Sequence, residues 1–102
     1  MTNPIRHFAI TGVGGYVAPR HLQAIREVGG TLLAALDPHD AVGLLDKHFP
    51  DADFFTEPER FERHLDKLSR SSTPIDYLSV CAPNHLHDTH VRMALHNGAN
   101  AL

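Results

Sequence analysis

The residues with the clearest chemical use are a cluster of glycines. Gly12, Gly14 and Gly15 follow the strand-forming run Phe8-Ala9-Ile10-Thr11 and precede Ala18-Pro19-Arg20-His21, which reads as the start of a helix. A strand, a glycine turn and a helix N-terminus together make an anion cradle. The first-turn N–H groups and the helix dipole both favour a phosphate there. Glycine lets the backbone turn tightly and approach the anion closely. Pro19 suits a first-turn position, where a missing N–H costs nothing. Against the spacing G-x-G-x-x-G, Gly12 and Gly14 fill the first two places, and the third falls on Val17. Gly15 is an extra glycine, and Ala18 supplies a small residue one position late. Taken alone, the cluster also fits an ordinary glycine-rich turn between a strand and a helix.

A second feature gives the cluster context. Asp37 ends the next apolar run, Thr31-Leu32-Leu33-Ala34-Ala35-Leu36, and stands 22 residues after Gly15. In a dinucleotide-binding βαβ unit, an acid at that place hydrogen-bonds the adenosine ribose hydroxyls. A carboxylate there repels a 2′-phosphate, so the pair selects NAD over NADP. By itself, an acid at a strand end is common. Joined to the glycines at this distance, it predicts dinucleotide binding.

A third stretch, Val80-Cys81-Ala82-Pro83-Asn84-His85-Leu86-His87, follows another strand-like run. In an open parallel sheet, ligands bind beyond the carboxyl ends of the strands. Pro83 and Asn84 would then lie near a nicotinamide ribose, although Asn84 is equally suited to cap a helix. His85, His87, Asp88 and His90 invite a metal reading. Histidines at i, i+2 and i+5 do not share one helix face, however, and no second cluster completes a site. Cys81 has no evident activating base and reads as a small buried thiol. No Ser/His/Asp set is legible, and no Lys-Ser or Lys-Thr follows the glycines as a nucleotide-hydrolysing P-loop requires.

These residues need a scaffold that brings three strand ends together. Strands are expected at Arg6–Thr11, Thr31–Leu36, Asp53–Thr56 and Ile75–Cys81, with a fifth starting at Ala99. Helices are expected over Ala18–Val28, Ala41–His48, a segment entered through Thr56 and Pro58 and running to Leu68, and His85–Asn97. Expected core positions are Leu22, Ile25 and Val28; Val42, Leu44 and Leu45; Phe61, Leu65 and Leu68; and Val91, Ala94 and Leu95. Asp40 and Thr56 are the expected helix caps, and the histidines in helices are expected to be mostly solvated. Strict alternation with short connections predicts a doubly wound parallel α/β sheet, Rossmann-like, with right-handed crossovers. The run stops as the fifth strand starts. We therefore read residues 1–102 as one dinucleotide-binding domain, the amino-terminal portion of a longer protein.

Composition sets the outer bounds. At 102 residues, 42% hydrophobic and 21% charged, the chain has the make-up of one folded domain. A net charge of -3 leaves no basic footprint for nucleic acid. No apolar run is long enough to span a membrane. The single cysteine excludes an internal disulfide framework and fits a cytoplasmic setting.

Together, the run from Phe8 to His21, Asp37, Asp53-Phe54-Phe55-Thr56-Glu57 and the run from Asp76 to His87 resemble the Gfo/Idh/MocA oxidoreductase family. Pro83, Asn84 and His87 form its most specific element. Within the family, the likeness is greatest to bacterial nucleotide-sugar oxidases that act on the 3-hydroxyl of UDP-N-acetylglucosaminuronic acid in lipopolysaccharide O-antigen biosynthesis. The resemblance implies that Gly12, Gly14, Gly15, Tyr16 and Val17 line the pyrophosphate of NAD. It implies that Asp37 holds the adenosine ribose, and that Ala82, Pro83, Asn84 and His87 lie along the nicotinamide half. It implies no catalytic residue here: the family's Glu-Lys-Pro lysine and later histidine lie beyond Leu102, as does the second domain that holds the nucleotide sugar. Full-length relatives are homo-oligomers. The residues alone leave three alternatives open. These are another sugar or inositol dehydrogenase of the same family, a non-catalytic nucleotide-sensing module, and a flavodoxin-like or receiver-type domain.

Overall fold

In a computed structural model, the structure describes residues 5–13, 18–39, 42–81 and 84–102; side chains at 42, 44 and 84–88 lie outside the description. The elements alternate as expected: β1 (His7–Thr11), α1 (Ala18–Glu27), β2 (Thr31–Leu36), α2 (Val42–His48), β3 (Asp53–Phe55), α3 (Pro58–Ser69), β4 (Tyr77–Val80), α4 (Asn84–His96) and β5 (Asn100–Ala101). The sheet runs β3-β2-β1-β4-β5, with every pair parallel. This order excludes the flavodoxin-like alternative, which would place β1 between β2 and β3. Here the chain builds outward from β1 to β3, then returns to lay β4 on the other side of β1.

The sheet buries both faces, as parallel sheets do. Phe8, Ile10, Leu32, Ala35 and Cys81 pack with Leu22 and Ile25 of α1 and Leu45 of α2. On the opposite face, Ala9, Ala34, Leu36 and Leu78 pack with Phe61 and Leu65 of α3 and with Met93 and Ala94 of α4. Phe61 and Leu65 lie one helical turn apart and are both almost fully buried. Each contributes about 1.5–3 kcal/mol of burial. The β1–β2 register slips by one residue, from Phe8 opposite Leu32 to Ala9 opposite Ala34. Leu33 is the extra residue of this bulge. It lets Leu33 and Ala34 serve one face while Leu32 and Ala35 serve the other.

The helix ends explain where the expected core differs. Gly30 N–H bonds Ile25 C=O and Gly29 N–H bonds Arg26 C=O; Ala99 with Ala94 and Gly98 with Leu95 repeat this at the end of α4. Both are Schellman closures with a glycine at φ near +75°. Val28 therefore sits past the last turn of α1 and is 72% exposed. Leu95, also expected inside, is 68% exposed, and the buried residues among the described side chains of α4 are His90, Met93 and Ala94, with Asn97 buried just past its end. Leu95 faces outward because the inward stripe follows 90, 93, 94 and 97, the 3.6-residue period. α3 is capped by Glu57, not Thr56, without a side-chain hydrogen bond, and Pro58 occupies its first turn. The expected cap Asp40 lies outside the described residues.

At the amino end of the sheet, Asp76 joins three strands. Its carboxylate accepts from His7 N–H at 2.8 Å, its N–H donates to His7 C=O, and its C=O accepts from Asn100 N–H. Asp76→Ala leaves the His7 N–H without this acceptor and is expected to cost about 1–3 kcal/mol in a urea unfolding titration. Gly30 is a second point of close approach. A Cβ there would stand 2.6 Å from Cε1 of Phe8, whose ring stacks on Tyr77 at 5.3 Å. Gly30→Ala is expected to destabilise the fold by about 1–3 kcal/mol, read as a lower urea midpoint.

Candidate dinucleotide site

The site lies where β1, β2 and β4 end side by side. Main-chain bonds lock these ends together. Gly12 N–H donates to Leu36 C=O at 2.7 Å, and Cys81 N–H donates to Thr11 C=O at 2.9 Å. Gly12 has φ +74°, in the left-handed region where a side chain is strained. The expected first glycine of the cradle is thus the residue that turns the chain out of β1. Val13, next to it, is fully buried and anchors the turn in the α1-side core.

Asp37 stands beside this turn, one residue past β2. Its N–H bonds Phe55 C=O at the end of β3, and its Oδ1 accepts from His39 N–H at 2.8 Å. The second contact is a short Asx-type turn through Pro38 that orients the carboxylate. Asp37 is only 6% exposed.

The structure thus brings Gly12 and Asp37 to one edge of the sheet. Gly14, Gly15, Tyr16, Val17, Ala82 and Pro83 lie outside the described residues. Asn84, placed just before the expected helix as a possible cap, is the first residue of α4, and His87 lies within its first turns. One feature of this edge was not anticipated. The Thr11 hydroxyl is fully buried and has no hydrogen-bond partner among the described residues. The only signal in the sequence was a polar residue closing an apolar strand immediately before a glycine. An orphaned hydroxyl, a buried acid and a glycine-only turn at the switch point of a parallel sheet suit a bound dinucleotide.

Two further expectations meet the structure here. Cys81 is buried at the end of β4, and burial pushes its thiol pKa up to about 11. His90, expected among solvated helix histidines, is 5% exposed because it lies on the inner stripe of α4. No group of three His, Cys, Asp or Glu among the described residues could hold a metal ion. No described helix is long and apolar enough to cross a membrane.

Fold and site together define a dinucleotide-binding domain of the Rossmann type. The model of the oxidoreductase family with an NAD-binding Rossmann fold, Gfo/Idh/MocA, matches residues 6–102, and the chain belongs to this family. It is 58% identical to the WlbA (WbpB) dehydrogenase of Thermus thermophilus, solved with NAD and UDP-GlcNAcA, with a TM-score of 0.92 over 95% of this chain and 32% of that one. The chain thus spans about a third of that enzyme's length. Two other structures share the fold at lower identity. The WlbA dehydrogenase of Bordetella pertussis, with NADH and UDP-GlcNAcA, is 19% identical, with a TM-score of 0.72 over 99% of this chain and 28% of that one. The apo scyllo-inositol dehydrogenase of Lactobacillus casei is 20% identical, with a TM-score of 0.73 over the same shares.

The raised Cys81 pKa has a measurable consequence. Between the usual thiol value of 9.0 and about 11, the native chain holds a proton that the unfolded chain releases. Stability is therefore expected to fall as pH rises through that window. Alkylation of native Cys81 by iodoacetamide should keep accelerating up to about pH 11, whereas in urea its rate should level off near pH 9.

Proposed function

We propose that this chain is the cofactor half of an NAD-dependent dehydrogenase that oxidises the 3-hydroxyl of UDP-N-acetylglucosaminuronic acid, a step toward O-antigen sugars. The observation that carries this reading is the 58% identity to the Thermus thermophilus enzyme solved with NAD and UDP-GlcNAcA, sustained over 95% of the chain. The likeness to scyllo-inositol dehydrogenase, at 20% identity, is a likeness of fold and does not favour inositol as substrate.

In this proposal, each part of the carboxyl edge has a separate task. The turn at Gly12, continued by Gly14, Gly15, Tyr16 and Val17, offers main-chain N–H groups to the pyrophosphate. The start of α1 adds its positive dipole end. Asp37 accepts from the adenosine ribose hydroxyls. Ala82, Pro83, Asn84 and His87, after β4, line the nicotinamide half. NAD, when bound, supplies the hydride acceptor. Cys81, with its thiol held protonated by burial, is a poor candidate to take the sugar proton at neutral pH. We assign that base, and the pocket for the sugar, to the part of the whole enzyme that this chain does not span. We further propose that the enzyme works in the cytoplasm as a homo-oligomer. A reduced lone cysteine is compatible with that compartment.

Asp37 gives the direct test. In the full-length protein, Asp37→Ala is expected to weaken NAD binding about tenfold or more, for loss of hydrogen bonds to a charged acceptor. NADP should bind poorly to the unaltered protein and gain relative to NAD in the variant. Isothermal titration with both nucleotides measures this. Equal affinity of the unaltered protein for NAD and NADP would remove the role given to Asp37.

A further inference from the structure

Thr11 ends the central strand with a polar side chain in an otherwise apolar place. Its neighbours across the sheet are Leu36 of β2 and Val80 of β4. Two residues earlier in β1, Ala9 belongs to the core on the α3–α4 side, to which Leu36 also belongs and against which Val80 packs. Side chains alternate along a strand, so Thr11 faces that side too. The Gly12 turn then carries the chain over to Val13, in the core on the α1 side. The Thr11 hydroxyl is thus set under the middle of the carboxyl edge, between Asp37 past β2 and the start of α4 past β4.

This hydroxyl is unsatisfied within the protein itself. It is fully buried and has no hydrogen-bond partner among the described residues. Valine has the same shape without the hydroxyl, and the interior strands of a parallel sheet favour it. A desolvated hydroxyl without a partner lowers stability, so valine would serve the fold better at this position. Asn97 Oδ1 and His48 Nδ1 also lack a partner among the described residues. Both stand where a crossover helix ends, at the amino edge of the sheet and remote from the site. Thr11 stands at the edge where parallel sheets bind their ligands.

An NAD laid along this edge, with its adenosine ribose at Asp37 and its nicotinamide half beyond β4, crosses the central strand with its diphosphate. A hydroxyl that donates to a phosphate oxygen makes a charge-assisted hydrogen bond. We propose that Thr11 is a cofactor-binding residue whose hydroxyl gains its hydrogen-bond partner when NAD binds. It donates toward the diphosphate, to a phosphate oxygen or to a water held by one. The inference rests on NAD binding at the carboxyl edge and not on the sugar substrate.

The test compares Thr11→Val and Thr11→Ser in the full-length protein, by isothermal titration with NAD and with ADP-ribose and by urea unfolding without nucleotide. Thr11→Val is expected to weaken NAD and ADP-ribose alike, about three- to tenfold, and to leave the urea midpoint of the nucleotide-free protein unchanged or higher. Thr11→Ser keeps the hydroxyl and is expected to bind NAD within about twofold of the unaltered protein. Unchanged NAD affinity in Thr11→Val would overturn the proposal. So would a lowered urea midpoint in that variant, because the hydroxyl would then have a partner without the cofactor. Equal losses of NAD affinity in both variants would overturn it too, since only the shape of the side chain would matter. A loss confined to NAD would overturn the placement on the diphosphate. Failure of the unaltered protein to bind NAD would sink the dinucleotide reading itself, and this inference with it, before any variant is compared.

Discussion

The carboxyl edge of the sheet depends on the turn that Gly12 makes as β1 ends. β1 is the central strand, so the direction in which the chain leaves it sets the position of the strand ends on either side. Gly12 N–H bonds the last carbonyl of β2, and the carbonyl of Thr11 takes the N–H of Cys81 after β4. A side chain at φ +74° would meet steric strain in that turn. The same two bonds place Asp37 on one side of the turn and the start of α4 on the other.

Rigidity at that edge comes from parts of the chain remote from it. The bulge at Leu33 lets β2 change the parity of its side chains between Phe8 and the end of β1, so that both cores are filled and Leu36 still ends level with Thr11. At the opposite end, Asp76 ties β1, β4 and β5 together. The Schellman closures of α1 and α4 end those helices abruptly, which keeps the connections into β2 and β5 short. Short connections leave the strand ends little freedom. This holds the described strand ends, with Gly12 and Asp37 beside them, in place before a ligand arrives.

The division of labour agrees with the family. The domain supplies a bed for NAD, a buried acid and a buried thiol that stays protonated, while the chain spans only about a third of its relative from Thermus thermophilus. One Rossmann fold can serve enzymes of quite different substrates. That is why a scyllo-inositol dehydrogenase and a UDP-GlcNAcA-bound dehydrogenase share this fold at about the same low identity to the chain. The substrate reading rests on the high-identity match, since the fold is common to both.

Much of this was legible in the residues themselves. The alternation of strands and helices, the helix stops at Gly29 and Gly98, the inward pair Phe61 and Leu65, and the tight turn at Gly12 follow from local rules of period, capping and backbone sterics. Asp37 could be placed at a strand end, because its position depends only on where an apolar run stops. Other facts were beyond local rules. The strand order, and with it the exclusion of a flavodoxin-like sheet, depends on which strands pair across long separations. The exposure of Val28 and Leu95 depends on where a helix ends and how it is rotated against the sheet. The orphaned Thr11 hydroxyl, the burial of His90 and the three-strand tie at Asp76 arise only when distant segments meet. A sequence determines the periodicity and turn chemistry of each segment, because these act within a few residues. Which faces meet, and which polar groups are left wanting a partner, is decided by long-range packing that no single segment contains.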